Sequence, residues 1–123
     1  MVLVALGLGA CDDGGDEPPP SFTEVNERVF QPGCVFSSCH QGASAAGDMS
    51  LEGSPHARIV DVPSMQMPSL PRVAPGDPDG SYMVEKLEQD MPAMGTRMPP
   101  TAPLDQERID LVRGWIEAGA LED

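Results

Sequence analysis

At 123 residues the chain has room for one small domain, and with 40% apolar and 22% charged residues it is built for water rather than as a membrane span. Twenty Asp and Glu against seven Lys and Arg set a net charge of −13, which argues against nucleic acid as a partner. Six of those acids (Asp12, Asp13, Asp16, Glu17, Glu122 and Asp123) fall in a linker and a tail, leaving 14 acids against 7 bases for the folded part.

The first residues, "MVLVALGLGAC", form a short apolar run ending in small side chains, about half the length that spans a bilayer. Residues 1–10 therefore read as an export leader rather than a transmembrane helix. Leu8-Gly9-Ala10-Cys11 resembles the bacterial lipobox, in which the cysteine is lipidated once the leader is removed. The cationic stretch that normally opens such a leader is missing, as it would be if translation began upstream and the leader were truncated here. Lipidation of Cys11 would leave Cys34 and Cys39 as the remaining thiols. Residues 11–20, "CDDGGDEPPP", offer no apolar face and read as an extended tether.

The domain is expected over residues 21–123. "SFTE" is a capping-box pattern, with Ser21 accepting from the Glu24 amide and the Glu24 carboxylate reaching back. Phe22, Val25 and Val29 supply an apolar stripe, which predicts a helix over 22–30. A loop follows from Gly42 to Gly53, then a short helix started by Ser54-Pro55 and running to about Val60. After the proline-punctuated "VPSMQMPSLPRVAPGDP", Asp77 or Asp79 can cap a helix over "GSYMVEKLEQ", with Tyr82, Met83 or Val84, and Leu87 inward. A second proline-rich loop, "DMPAMGTRMPPTAP", leads to a last helix on which Ile109, Val112, Trp115 and Ile116 recur at helical spacing and Gly119 closes the end. The fold class is all-α, with about four helices joined by long Pro/Gly-rich loops.

Aromatics make up only 4% of this chain. So small an apolar inventory would struggle to offset the ordering entropy of two long irregular connections. A disulfide, a metal or a bulky cofactor is the usual remedy in small exported domains.

"CVFSSCH" bears on that choice. Cys39-His40 sets a thiol beside an imidazole and Cys34 offers a second sulfur, which matches the needs of covalent haem attachment: two thioethers and a proximal nitrogen. The usual spacing is C-x-x-C-H, whereas here four residues separate the cysteines, so a Cys34–Cys39 disulfide beside an ordinary His40 is an equal reading of this stretch. A second feature favours haem. Electron-transfer haems of this type take a soft sixth ligand, commonly a methionine in a loop before the final helix. "GTRMPP" stands there, making Met98 the first candidate, stiffened by Pro99 and Pro100, with Met94 and Met91 in reserve. His56, at a helix start, is the other histidine and reads as solvent-facing.

Taken in order, "VFQPGCVFSSCHQG", "RVAPGDPDGSYMVEKL", "MPP" and "IDLVRGWIEAGA" resemble the c-type cytochrome-like domains of exported planctomycete and myxobacterial proteins, over about residues 24 to 120. The resemblance implies a small cytochrome c-like domain holding one haem c, with thioethers at Cys34 and Cys39 and axial ligation by His40 and Met98. It implies contact between the first and last helices through Phe22, Val25, Val29, Ile109, Val112 and Ile116, with Trp115 near the cofactor or capping the helix crossing. The x₄ spacing departs from the family's common motif.

Ser37, Ser38 and the scattered acids form no nucleophile–base constellation, so an electron carrier is expected rather than an enzyme. Its partners would be a redox protein with a basic docking surface and, through the lipid anchor alone, a membrane of the bacterial envelope or periplasm. Two alternatives stand: a haem-free envelope interaction module stapled by Cys34–Cys39, and a periplasmic copper binder using Met65-x-Met67 and Met91-x-x-Met94 as soft ligands.

Overall fold

A computed structural model of the chain describes residues 18–35, 39–43, 45–100 and 102–123. The leader, Cys11 and the acidic part of the linker lie outside the described residues. Within them the fold is helical and has no strand; its strand-like pairing is limited to isolated bridges joining Val60 to Val73 and Pro63 to Pro71. No helix among them is long and apolar enough to cross a membrane.

Ser21 opens the first helix as its sequence predicts, its hydroxyl accepting from the Glu24 amide at 3.0 Å. The box closes on one side only, because the Glu24 carboxylate turns to Arg28 at 3.3 Å instead. The helix also runs past Phe30: α1 (Phe22–Val25) continues through a π turn (Asn26–Phe30) into α2 (Gln31–Gly33) without leaving helical dihedrals. Pro32 accounts for the widened turn. It has no N–H to offer the Arg28 carbonyl four residues back, and its ring crowds that oxygen. Arg108 fills the gap, its Nε donating to the Arg28 carbonyl at 3.1 Å.

The second helix, α3 (His56–Ile59), begins just after Pro55 and has no side-chain cap. Neither Asp77 nor Asp79 caps the next one. Asp77 accepts from Gly80 and so caps a separate 3-10 turn, Pro78–Gly80. The start of α4 (Tyr82–Glu88) is satisfied by backbone, with the Tyr82 and Met83 amides donating to the carbonyls of Pro71 and Arg72 at 2.9 and 3.0 Å. All four candidate inner residues of α4 are buried, because one side meets α5 while another faces a cavity.

The last helix, α5 (Gln106–Glu117), starts on Asp105, which accepts from the Arg108 amide at 2.9 Å. It ends in a Schellman turn: the Gly119 amide donates to Ile116 and the Ala120 amide to Trp115, both at 2.9 Å. Gly119 adopts a φ of 116°, a conformation side chains resist.

Phe22, Val25 and Val29 are buried with Ile109, Val112 and Ile116 in a single core cluster, the contact that the resemblance implied between the first and last helices. Trp115 is buried in that core, 5.4 Å from the Phe22 ring, with its Nε1 donating to the Leu121 carbonyl at 2.9 Å. It is a core aromatic and does not line the cavity. His56 departs from its expected solvent-facing role. Its ring meets Phe22 edge-on at 5.2 Å, and its Nε2 donates to the Ala120 carbonyl at 2.8 Å, because the Schellman turn presents that oxygen to the start of α3.

Candidate functional site

The polar loop after α2 is folded back by three backbone bonds: the His40 amide to the Cys34 carbonyl (3.2 Å), the Ala46 amide to Cys39 (2.8 Å), and the Leu51 amide to His40 (2.9 Å). These return the chain across the end of the first helix. There, Val29 and Phe30, the 46–51 segment, residues 64–66, α4 and Met98 line an open cavity of about 140 Å³. That is below the about 300–1,000 Å³ of most small-molecule and cofactor sites, so a bulky ligand would have to part these walls to enter.

Three of the four candidate haem residues, Cys34, His40 and Met98, line this cavity. Cys39 is partly buried and close enough to influence Cys34 electrostatically, but its side chain is not part of the wall. No disulfide joins Cys34 to Cys39 in this structure. His56, held at the tail of α5, contributes nothing to the cavity.

The His40 ring has a fixed tautomer. Its Nδ1 lies 2.7 Å from the Met49 carbonyl, and a carbonyl can only accept, so Nδ1 carries the proton. In the neutral imidazole Nε2 therefore keeps its lone pair, the state in which histidine binds a metal.

Met98 is placed by α4. Its amide donates to the Lys86 carbonyl at 2.7 Å, and the preceding Arg97 donates through Nε to the Leu87 carbonyl at 3.0 Å. Upstream, the Ala93 amide donates to the Glu85 carboxylate (2.6 Å), the Met94 amide to the Tyr82 hydroxyl (3.2 Å), and Lys86 Nζ to the Met94 carbonyl (3.0 Å). The loop is a strap laced to one helix face. It turns Met98 inward while Met91 stays 89% and Met94 49% exposed, so neither reserve candidate reaches the wall.

Burial pushes the Cys34 thiol up to about 11, and the Cys39 sulfur adds to the rise. The thiol is protonated at neutral pH and donates to the Val29 carbonyl at 3.6 Å. Because the folded value lies above the unfolded one, near 9, the native state holds the proton more tightly, and the stability this contributes is lost as pH rises through 9 to 11. Urea unfolding of the reduced haem-free chain should show its midpoint falling across that window. Cys34→Ser should flatten this alkaline limb; an unchanged fall in the variant would locate the titration elsewhere.

Sequence reasoning did not find Met49, Met83, Arg72 or Lys86 as cavity residues. Met83 was visible as an inward residue of α4, although its facing a cavity was not. Met49 sits in a stretch with no periodicity to mark it. Met65, weighed only as a copper ligand with Met67, also reaches the wall. No family model, no curated protein and no solved structure matches this chain.

Proposed function

We propose that this chain is an exported, lipid-anchored c-type cytochrome domain that carries one covalently attached haem and transfers electrons rather than catalysing a reaction. The observation that carries the reading is the convergence of Cys34, His40 and Met98, the last from far along the sequence, on one cavity among the buried apolar side chains Phe30, Leu51, Met83 and Leu87. The donor set fits the group. A porphyrin brings its own nitrogens and needs from the protein only axial ligands and a thioether anchor. Among the described residues no three or more His, Cys, Asp or Glu side chains cluster as a ready-made site for a bare ion.

In this reading His40 Nε2 and the Met98 sulfur would hold the iron, and Cys34 and Cys39 would carry the thioether links. Bound there, the haem iron would exchange one electron between its ferrous and ferric states. The Met49 carbonyl orients His40 and enriches its basicity. A methionine ligand would favour the ferrous state. The lipid anchor at Cys11 and the basic redox partner belong to the same proposal and rest on sequence alone.

A visible spectrum of the chain, exported from a host with cytochrome c assembly machinery, tests the reading. It should show haem that survives denaturation and acid extraction. Mass spectrometry finding an intact Cys34–Cys39 disulfide and no haem would exclude it. One observation favours a second reading: Met49, Met65, Met83 and Met98 all line the cavity beside Cys34 and His40, a soft set suited to Cu(I). Of the methionines expected from sequence for copper, Met65 belongs to this set, and Met67, Met91 and Met94 do not. Tight Cu(I) binding by a chain that never acquires haem under those conditions would select it.

A further inference from the structure

Among the described residues the cavity wall includes two cations, Arg72 and Lys86, and no Asp or Glu side chain. In a chain of net charge −13, that local reversal calls for an account.

Arg72 is the more telling of the two, because only 9% of it is exposed. Its Nη1 donates to the Arg58 carbonyl at 2.8 Å, and its Nη2 lies 3.2 Å from each of the Gly47 and Asp48 carbonyls. Those oxygens satisfy N–H groups without neutralising a charge, and no described carboxylate lies within ion-pair distance of the guanidinium. Every other Arg among the described residues is more exposed or has a carboxylate partner. A buried charge without a counter-charge is costly, and proteins seldom keep one unless something pairs with it. Burial pulls the guanidinium below its ordinary value, with Asp48 opposing weakly through space. Lys86 reinforces the positive wall; its Nζ donates to the neutral Met94 carbonyl.

We propose that Arg72, supported by Lys86, pairs with a carboxylate of the ligand that fills this cavity, which is therefore an apolar body bearing an acidic group. On the haem reading, on which this rests, that group is a propionate of the porphyrin. The guanidinium suits the task because three of its five N–H groups serve the three carbonyls and the other two can still donate to a carboxylate.

The test uses the full chain produced without haem attachment, titrated by absorbance with haem and with haem dimethyl ester, which keeps the iron and ring but lacks both carboxylates. Wild type should bind haem roughly ten- to a hundredfold more tightly than the ester, the scale of one charge-assisted hydrogen-bonded pair. Arg72→Gln should shrink that ratio toward one, and Arg72→Lys should keep most of it. Equal affinities in wild type would overturn the pairing and leave the haem reading standing. A preference that survives intact in Arg72→Gln would overturn the assignment to Arg72. If Arg72→Gln does not fold, the wild-type ratio and Arg72→Lys decide. Failure of both compounds to bind would sink the haem reading and this inference together.

Discussion

Trp115→Ala should cost about 3–5 kcal/mol of unfolding free energy, the range for truncating a buried large aromatic. The chain can ill absorb such a loss, since small domains hold only about 5–15 kcal/mol in total. Trp115 is buried against Phe22, and its Nε1 secures the Leu121 carbonyl beyond the Schellman turn. Alanine would open a void in a core poor in aromatics and also orphan that carbonyl. Urea unfolding monitored by circular dichroism checks it, with Trp115→Phe as the milder comparison that keeps most of the volume. A loss below about 1 kcal/mol in the alanine variant would mean the core collapses around the gap far better than buried packing normally allows.

On the haem reading, Met98→Ala should abolish the weak absorption at the red end of the visible that reports ferric iron bound to a thioether. It should also lower the reduction potential, because a thioether favours ferrous iron and a water or hydroxide replacing it does not. Met91→Ala and Met94→Ala should leave the band intact. Their side chains are 89% and 49% exposed, while the strap bonded to Lys86 and Leu87 turns Met98 to the wall. Loss of the band in Met94→Ala instead would mean that the strap shifts its register when haem binds. Persistence in all three variants would direct attention to Met49, Met65 and Met83, which share the wall.

Those contrasts mark what the residues disclosed and what they hid. Periodicity marked Phe22, Val25 and Val29, and then Ile109, Val112 and Ile116, as the inner faces of two helices, while their contact with each other was implied by the resemblance and is present in the core. The order of the cysteine–histidine cluster and the "MPP" loop along the chain grouped Cys34, Cys39, His40 and Met98, of which Cys34, His40 and Met98 line one cavity. The path of the loops was not legible. That Met49 would turn its carbonyl to His40, that Pro71 and Arg72 would start α4 in place of Asp77, and that Arg72 would be buried all depend on long-range backbone pairing with no local spacing. The π turn was readable in principle, since a proline four residues beyond Arg28 had to disturb the ladder. His56 misled because its partner, the Ala120 carbonyl, lies 64 residues away.

The clasp at the tail has a mechanical consequence. The Asp123 carboxylate accepts from the Thr23 amide at 3.2 Å, and the Pro20 ring lies against the bare Gly114 backbone, so both ends of the folded part are gathered at the start of the first helix. The cavity opens at that helix's other end, roughly 18 Å away along its axis. Tension entering at Pro18 is thus taken up by the α1–α5 seam before it reaches His40 or Met98. On the lipid-anchor reading, the domain could be tugged, swivelled or crowded at its mooring while the geometry around the cavity stays unstrained.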